Sequence, residues 1–267
     1  MHEILSQLSQ GWVLDLGSRY GSFPAEAFPF STVRVDLDPP EGPRAANVVQ
    51  ADAARLPFKD GSFAAVISNH SMEHFERLDE SLAEVGRVVA PGAGLFVSVP
   101  DASIFTDRVY RWLGQGGGHV NAFVSAEVLR GRIESATRLR HVGTRLLYSS
   151  LSFLNRKNIK GRLQRKMWLF ARGDERFVVF LNWLTRIVDR WFGTRLSVYG
   201  WAFYFGEIAG PLVGGEWRNA CARCGAGHPA DQLEAQGAVG RSWLGVRMYR
   251  CPGCGAKNTF VRDDLAA

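Results

Sequence analysis

The sequence predicts a doubly wound α/β domain with a mainly parallel sheet, followed by a small module built around cysteines. Three observations predict it. Short apolar runs alternate with turn-rich or helical stretches, the runs lack the polar alternation of a half-exposed strand, and two Cys-x-x-Cys pairs lie near the C-terminus. Unmixed apolar runs are strands buried on both faces, which is how a parallel sheet covered by helices reads.

The first run is 12–16, stopped by Gly17, and the second is 32–36, stopped by Pro39 and Pro40. Residues 47–51 and 63–68 form the third and fourth, and 95–99 follows the Pro91-Gly92-Ala93-Gly94 turn. Between the last two, Phe75, Leu78, Leu82, Val85 and Val89 recur at steps of three and four, which predicts a helix. Pro24 and Pro29 limit any helix between the first two strands, and none is legible between the second and third. Beyond the glycine-rich 114–118 segment, Ser125 is placed to cap a helix that holds Glu127 and Leu129. Leu146 and Leu147 mark a sixth strand, 151–195 reads as helical, and the aromatic, β-branched stretch 197–205 is a seventh strand.

Composition excludes disordered, collagenous and rod-like chains: 46% of residues are hydrophobic, and Phe and Trp number 17 and 8. The longest weakly charged stretch, 198–215, contains Glu207, Pro211 and five glycines, so no spanning helix is expected. With Glu3 and no apolar run before Gly11, no secretion signal is expected, and a reducing, cytoplasmic location follows. There, four cysteines point to metal before disulfides. The net charge of +6 is unevenly spread: residues 1–120 hold nine Lys/Arg against fifteen Asp/Glu, while ten Lys/Arg and no acid fall in 138–172. Such a block attracts RNA, an anionic membrane surface or a phosphorylated substrate, or else is a solvated helix face.

Three acidic or glycine positions fall at strand C-termini, where open α/β sheets bind ligands. The first strand runs into Asp15-Leu16-Gly17-Ser18-Arg19-Tyr20-Gly21, whose glycines let the backbone pass under a nucleoside. Asp36 ends the second strand about twenty residues on, suited to the two hydroxyls of a ribose. Asp52, with Ala53 beside it, ends the third and is suited to an exocyclic amine.

With these positions in place, the sequence resembles the class I S-adenosylmethionine-dependent methyltransferases, in the branch containing ubiquinone/menaquinone-type enzymes. The resemblance rests on Val13-Leu14-Asp15-Leu16-Gly17-Ser18, on Val35-Asp36-Leu37-Asp38, and on Ala51-Asp52-Ala53-Ala54-Arg55-Leu56-Pro57-Phe58 leading to Asp60-Gly61-Ser62-Phe63. It continues through Glu73-His74, Glu84, Arg87, Pro91 and Gly92, and covers about residues 11–135 well. It implies a seven-stranded Rossmann-like sheet. It also implies that Asp15 and the turn of Gly17, Ser18, Arg19, Tyr20 and Gly21 hold the methionine moiety. Asp36 with Leu37 would bind the ribose, Asp52 with Ala53 the adenine, and Asn69 and His70 would flank the sulfonium. Three positions depart from the family pattern. Arg19 replaces the middle glycine, Ala64 an aspartate, and only about ten residues precede the first strand. His119 matches a histidine the family often places at the acceptor side, where it is either a base or a packing residue of the loop.

Cys221-Ala222-Arg223-Cys224-Gly225 and Cys251-Pro252-Gly253-Cys254-Gly255 each let two thiolates grip one tetrahedral Zn²⁺. A β-hairpin around 241–250 would fill the interval, and the arrangement resembles a zinc ribbon in which His228 is not needed as a ligand. The expected organisation is a methyltransferase domain over 1–213, with 151–195 roofing the acceptor pocket through Phe177, Trp183 and Trp191, and a ribbon over 214–267. The expected function is methyl transfer to a small, lipid-like or sugar-like acceptor. The alternatives are RNA methylation, with ribbon and basic block gripping phosphates, and a non-catalytic cofactor-binding scaffold. The ribbon itself would contact protein or nucleic acid, or only fold the C-terminus.

Overall fold

A seven-stranded sheet in the order β3-β2-β1-β4-β5-β7-β6 organises the chain. It is seen in a computed structural model that describes residues 1–39, 47–113, 118–148, 151, 175–208, 218–223 and 226–262. β1 (Trp12–Leu16), β2 (Ser31–Asp36), β3 (Val48–Gln50), β4 (Phe63–Asn69) and β5 (Val89–Pro100) are mutually parallel. β6 (His141–Tyr148) and β7 (Val198–Gly206) close the sheet, and β7 runs antiparallel to both its neighbours. Burial explains the parallel core: Val13, Leu14, Val66, Ile67, Leu95 and Val97 are all inaccessible. Each such side chain contributes roughly 1.5–3 kcal/mol relative to exposure.

The helices follow the sequence unevenly. α1 (His2–Leu5) sends Ile4 and Leu5 into the face shared by Phe96 and Tyr204. α2 (Leu78–Val88) buries Leu78, Leu82 and Val85 as the periodicity predicts, and Val88 besides, whereas Phe75 precedes the helix and Val89 opens β5. α4 (Ala126–Thr137) is capped by Ser125, whose Oγ accepts from the Val128 amide at 3.3 Å. Only a 3-10 turn, Ala25–Ala27, lies in the proline-bounded β1–β2 connection. α3 (Phe105–Leu113) was not expected from the sequence, although Phe105, Val109 and Trp112 recur at helical steps; Phe105 and Trp112 face solvent. β5 is longer than its apolar run: pairing steps from Phe63–Val89 to Ala65–Gly94, so 90–93 bulges out of register. Pro91, which has no N–H to give the ladder, lies in that bulge.

α5 (Glu175–Phe192) carries the described part of the predicted helical stretch; 152–174, with most of the basic block, lies outside the described residues. The described contacts of α5 run to the C-terminal module and to the sheet edge: Trp183 Nε1 donates to Ser242 Oγ at 2.9 Å, Arg186 stacks on Tyr148, and Trp191 is exposed. Within the basic block, Arg145 is buried and paired with Glu3, so its charge is spent inside the fold.

The C-terminal module has the antiparallel sheet β10 (Val239–Arg241), β11 (Arg247–Arg250) and β12 (Lys257–Thr259), so the expected hairpin is present. β8 (Arg218–Ala220), β9 (Gly227–Pro229) and α6 (Ala230–Ala235) complete its described residues. Its core is separate from that of the large sheet and joins Leu233, Tyr249, Ala256 and Phe260 to Cys221 and Cys251. Among the described residues, no helix is long and apolar enough to cross a membrane.

Candidate functional site

β1 and β4 end against each other, and the contact depends on a glycine. Gly17 has φ +70°, its amide donates to Val35 O at 2.7 Å, and a Cβ there would lie 2.5 Å from Ser71 Cβ. Ser71 Oγ donates to Leu16 O at 2.9 Å and shares a 2.6 Å hydrogen bond with Ser68 Oγ. Asp15 is fully buried beneath the turn. Its Oδ2 accepts from the Ser22 amide at 2.8 Å, while Oδ1 is buried with no hydrogen-bond partner. Burial pushes its carboxyl up, opposed by the bonds from Ser22 and Ser18 and by the charge of Arg34. An acceptor buried without a donor costs roughly 1–3 kcal/mol, a cost that a donating ligand removes. Arg34, the one charge inside the apolar run of β2, lies against Gly21: a Cβ there would be 2.7 Å from its guanidinium.

Asp36 faces this turn. Its Oδ2 accepts from the Arg19 amide at 2.8 Å and its Oδ1 from the Asp38 amide at 2.9 Å. Each oxygen keeps a further lone pair for a ligand hydroxyl. Arg19, at φ +29°, sends its guanidinium to Asp38 at 3.5 Å, an exposed ion pair on the outside of the turn. Ser18 Oγ folds back onto Asp15 O at 3.3 Å. Tyr20 and Leu37 are 73% and 68% exposed, leaving apolar surface uncovered beside Asp36.

Asp52 stands just beyond β3 with its carboxylate engaged. Oδ1 accepts from the Ala54 amide at 2.8 Å and Oδ2 from Arg77 at 2.6 Å. The Ala54 bond and then Arg77 hold its carboxyl below the usual carboxylate range. Sequence reasoning missed Arg77, which stands 25 residues away and carries no motif. Ala53 is buried beside it.

The end of β4 carries a second polar cluster. Asn69 Oδ1 accepts from Ser98 Oγ at 2.7 Å. His70, at φ +52°, donates its amide to Ser98 O, stacks on Tyr199 at 5.5 Å, and holds Nδ1 3.6 Å from Glu73 Oε1. Glu73 is 2% exposed, and its Oε2 has no hydrogen-bond partner. Its backbone carbonyl accepts from the Val120 and Asn121 amides, which fixes the loop that bears His119. His119 packs edge-on to His74 at 4.9 Å and beside Tyr110 at 5.3 Å. Burial lowers its pKa against the opposing charge of Glu73, so the imidazole is neutral at pH 7 and free to take a proton. Neither the burial of Glu73 nor the approach of Tyr199 had a signal in the sequence.

In the C-terminal module, the thiol sulfurs of Cys221, Cys251 and Cys254 lie within 4.8 Å of one another; Cys224 lies outside the described residues. Cys221 and Cys254 are 3.6 Å apart. That is far beyond a disulfide, and close to the edge of about 3.8 Å that Zn–S bonds of about 2.3 Å give a tetrahedron. The donor set therefore fits one zinc. His228 Nε2 lies 3.3 Å from Cys251 Sγ and Asn258 Nδ2 3.5 Å from Cys221 Sγ, as donors to thiolate would.

Residues 14–97, from β1 into β5, match the family described as a methyltransferase domain. The chain is 27% identical over 141 residues to the biotin biosynthesis bifunctional protein BioHC of Cellvibrio japonicus, covering 49% of this chain and 28% of that protein. It is 31% identical over 145 residues to the malonyl-[acyl-carrier protein] O-methyltransferase of Methylococcus capsulatus, covering 48% and 52%. The chain thus spans about half, or less, of the curated relatives it matches. The phosphoethanolamine N-methyltransferase 2 of Haemonchus contortus, solved with S-adenosyl-L-methionine, aligns with a TM-score of 0.48 at 16% identity, over 76% of this chain and 51% of that one.

Proposed function

We propose that this chain, whose β1–β5 segment is of methyltransferase-domain type, transfers a methyl group from S-adenosylmethionine to a small, lipid-like or sugar-like acceptor. The buried, donorless Oδ1 of Asp15 beneath the Gly17 turn is the observation that carries this reading, because it lies inside the family match and suits an ammonium donor. The turn of Gly17, Ser18, Arg19, Tyr20 and Gly21 would hold the methionine end, with Asn69 and His70 at the sulfonium. Asp36 and Leu37 would hold the ribose, and Asp52, oriented by Arg77, would hold the adenine beside Ala53. The bound cofactor supplies an already activated methyl, so the chain's work is proximity and orientation. His119 would remove a proton from a hydroxyl or amine acceptor. The C-terminal residues, from about 214, would form a zinc ribbon on Cys221, Cys224, Cys251 and Cys254.

The relative named as a malonyl-[acyl-carrier protein] O-methyltransferase favours a second reading, in which the acceptor is a carboxylate on a carrier protein. A carboxylate needs no base, so the two readings differ in what they ask of His119. Incubating the purified chain with labelled cofactor and separated lipid, metabolite, RNA and carrier-protein fractions distinguishes them. Label in lipid or metabolites is expected. Label in acylated carrier protein alone moves the assignment to the second reading, and cofactor binding without label in any fraction identifies a scaffold.

A further inference from the structure

Independently of methyl transfer, the structure assigns a second binding site: an arginine-lined cleft between the sheet edge, α5 and the C-terminal module, which takes the phosphate or pyrophosphate group of a small molecule. The cleft has a volume of about 540 Å³, within the range of small-ligand pockets. Among the described residues that line it, six are arginines and Asp189 is the one acid.

The charges there are not balanced internally. Arg247 and Arg262 pair with Glu234, and Arg262 also with Asp231. No ion pair joins Arg186, Arg190, Arg195 or Arg241 to a carboxylate among the described residues. Asp189 is engaged by the loop that follows it: its Oδ1 accepts from Thr194 Oγ1 and the Leu196 amide, and its Oδ2 from the Ser197 amide. The acid thus folds the loop that carries Arg195 to the rim.

The convergence is built rather than incidental. Arg190 and Arg241 reach the same carbonyl, Gly245 O, at 3.3 and 3.4 Å. Gly245 has φ +78°, which favours glycine, and the Arg190 guanidinium lies 3.0 Å from where a Cβ would stand. The Trp183–Ser242 hydrogen bond holds that turn against α5. Arg186 NH1 is buried with no hydrogen-bond partner. Guanidiniums gathered around one neutral acceptor repel one another, and an anion with several oxygens relieves this through paired N–H donors. Phosphate fits that need; a neutral or cationic ligand does not. A concave pocket also favours a compact group over a long polyanion, which a flat basic stripe would serve.

Calorimetric titration of the full chain with inorganic pyrophosphate tests the proposal, with ADP and a short oligoribonucleotide as separate arms. Pyrophosphate and ADP are expected to bind, and Arg190→Gln with Arg241→Gln to weaken both by at least about tenfold, as loss of charge-assisted hydrogen bonds implies. The single Arg195→Gln change, on an exposed loop, should weaken binding with an unchanged melting curve, so a folding defect in the double variant cannot account for the result. S-adenosylmethionine affinity should not move in either variant. Pyrophosphate binding that is absent in the parent, or unchanged from the parent in both variants, overturns the site. Binding of the oligoribonucleotide without pyrophosphate also overturns it, and would identify a surface for RNA.

Discussion

Replacing Cys221 and Cys251 by serine is expected to release one zinc per chain and to unfold the C-terminal module while the large sheet stays folded. The two sulfurs belong to the small core that also holds Leu233, Tyr249 and Phe260, so a zinc bound there would be continuous with the packing. A module of this size buries too little apolar surface to fold without help, and structural zinc in comparable small folds contributes on the order of 10–16 kcal/mol. Metal analysis should find zinc near one equivalent in the parent and almost none in the double variant. Cofactor binding should survive, because the seven-stranded sheet has its own core. Thiols that titrate freely in a metal-free, folded parent would falsify the ribbon.

His119→Asn should lower kcat by about 10²–10⁴-fold, the usual contribution of a positioned base, with little change in KM. The neutral imidazole is the active form. Burial lowers its pKa from 6.5, so the rate should hold at pH 6.5 and fall only as pH drops through that lower value. Glu73 opposes the shift, and Glu73→Gln should therefore move the acid limb to still lower pH. A melting curve must match the parent for the rate to be read as chemistry. If kcat in His119→Asn equals the parent's and the acid limb persists, the acceptor arrives ionised and the carboxylate reading replaces the first.

What the sequence made legible depended on how each residue is stabilised. β1, β2 and β4 were found within a residue or so, because Val13, Leu14, Val66 and Ile67 are apolar and buried on both faces. The first half of β5 read as a turn, since Pro91, Gly92 and Gly94 dominate it and 90–93 bulge between the paired residues Val89 and Gly94. α3 has helical spacing in Phe105, Val109 and Trp112, but Phe105 and Trp112 face outward, so the core does not cover that stripe. At the site, Asp15, Gly17 and Asp36 were legible because backbone turns demand them. Arg77 on Asp52, Arg34 under Gly21 and Tyr199 on His70 were not: each is brought in by tertiary packing, from the turn before α2, from β2 and from β7.

The central claim is that the C-terminal edge of β1 and β2 holds S-adenosylmethionine, with the ribose on Asp36. Calorimetric titration of the parent and of Asp36→Ala with this cofactor tests it most directly. Saturable binding of one molecule per chain is predicted, weakened in the variant by roughly 1–3 kcal/mol, the cost of leaving ligand hydroxyls unpaired. Equal affinity in parent and variant, or no binding by a folded parent, would contradict it.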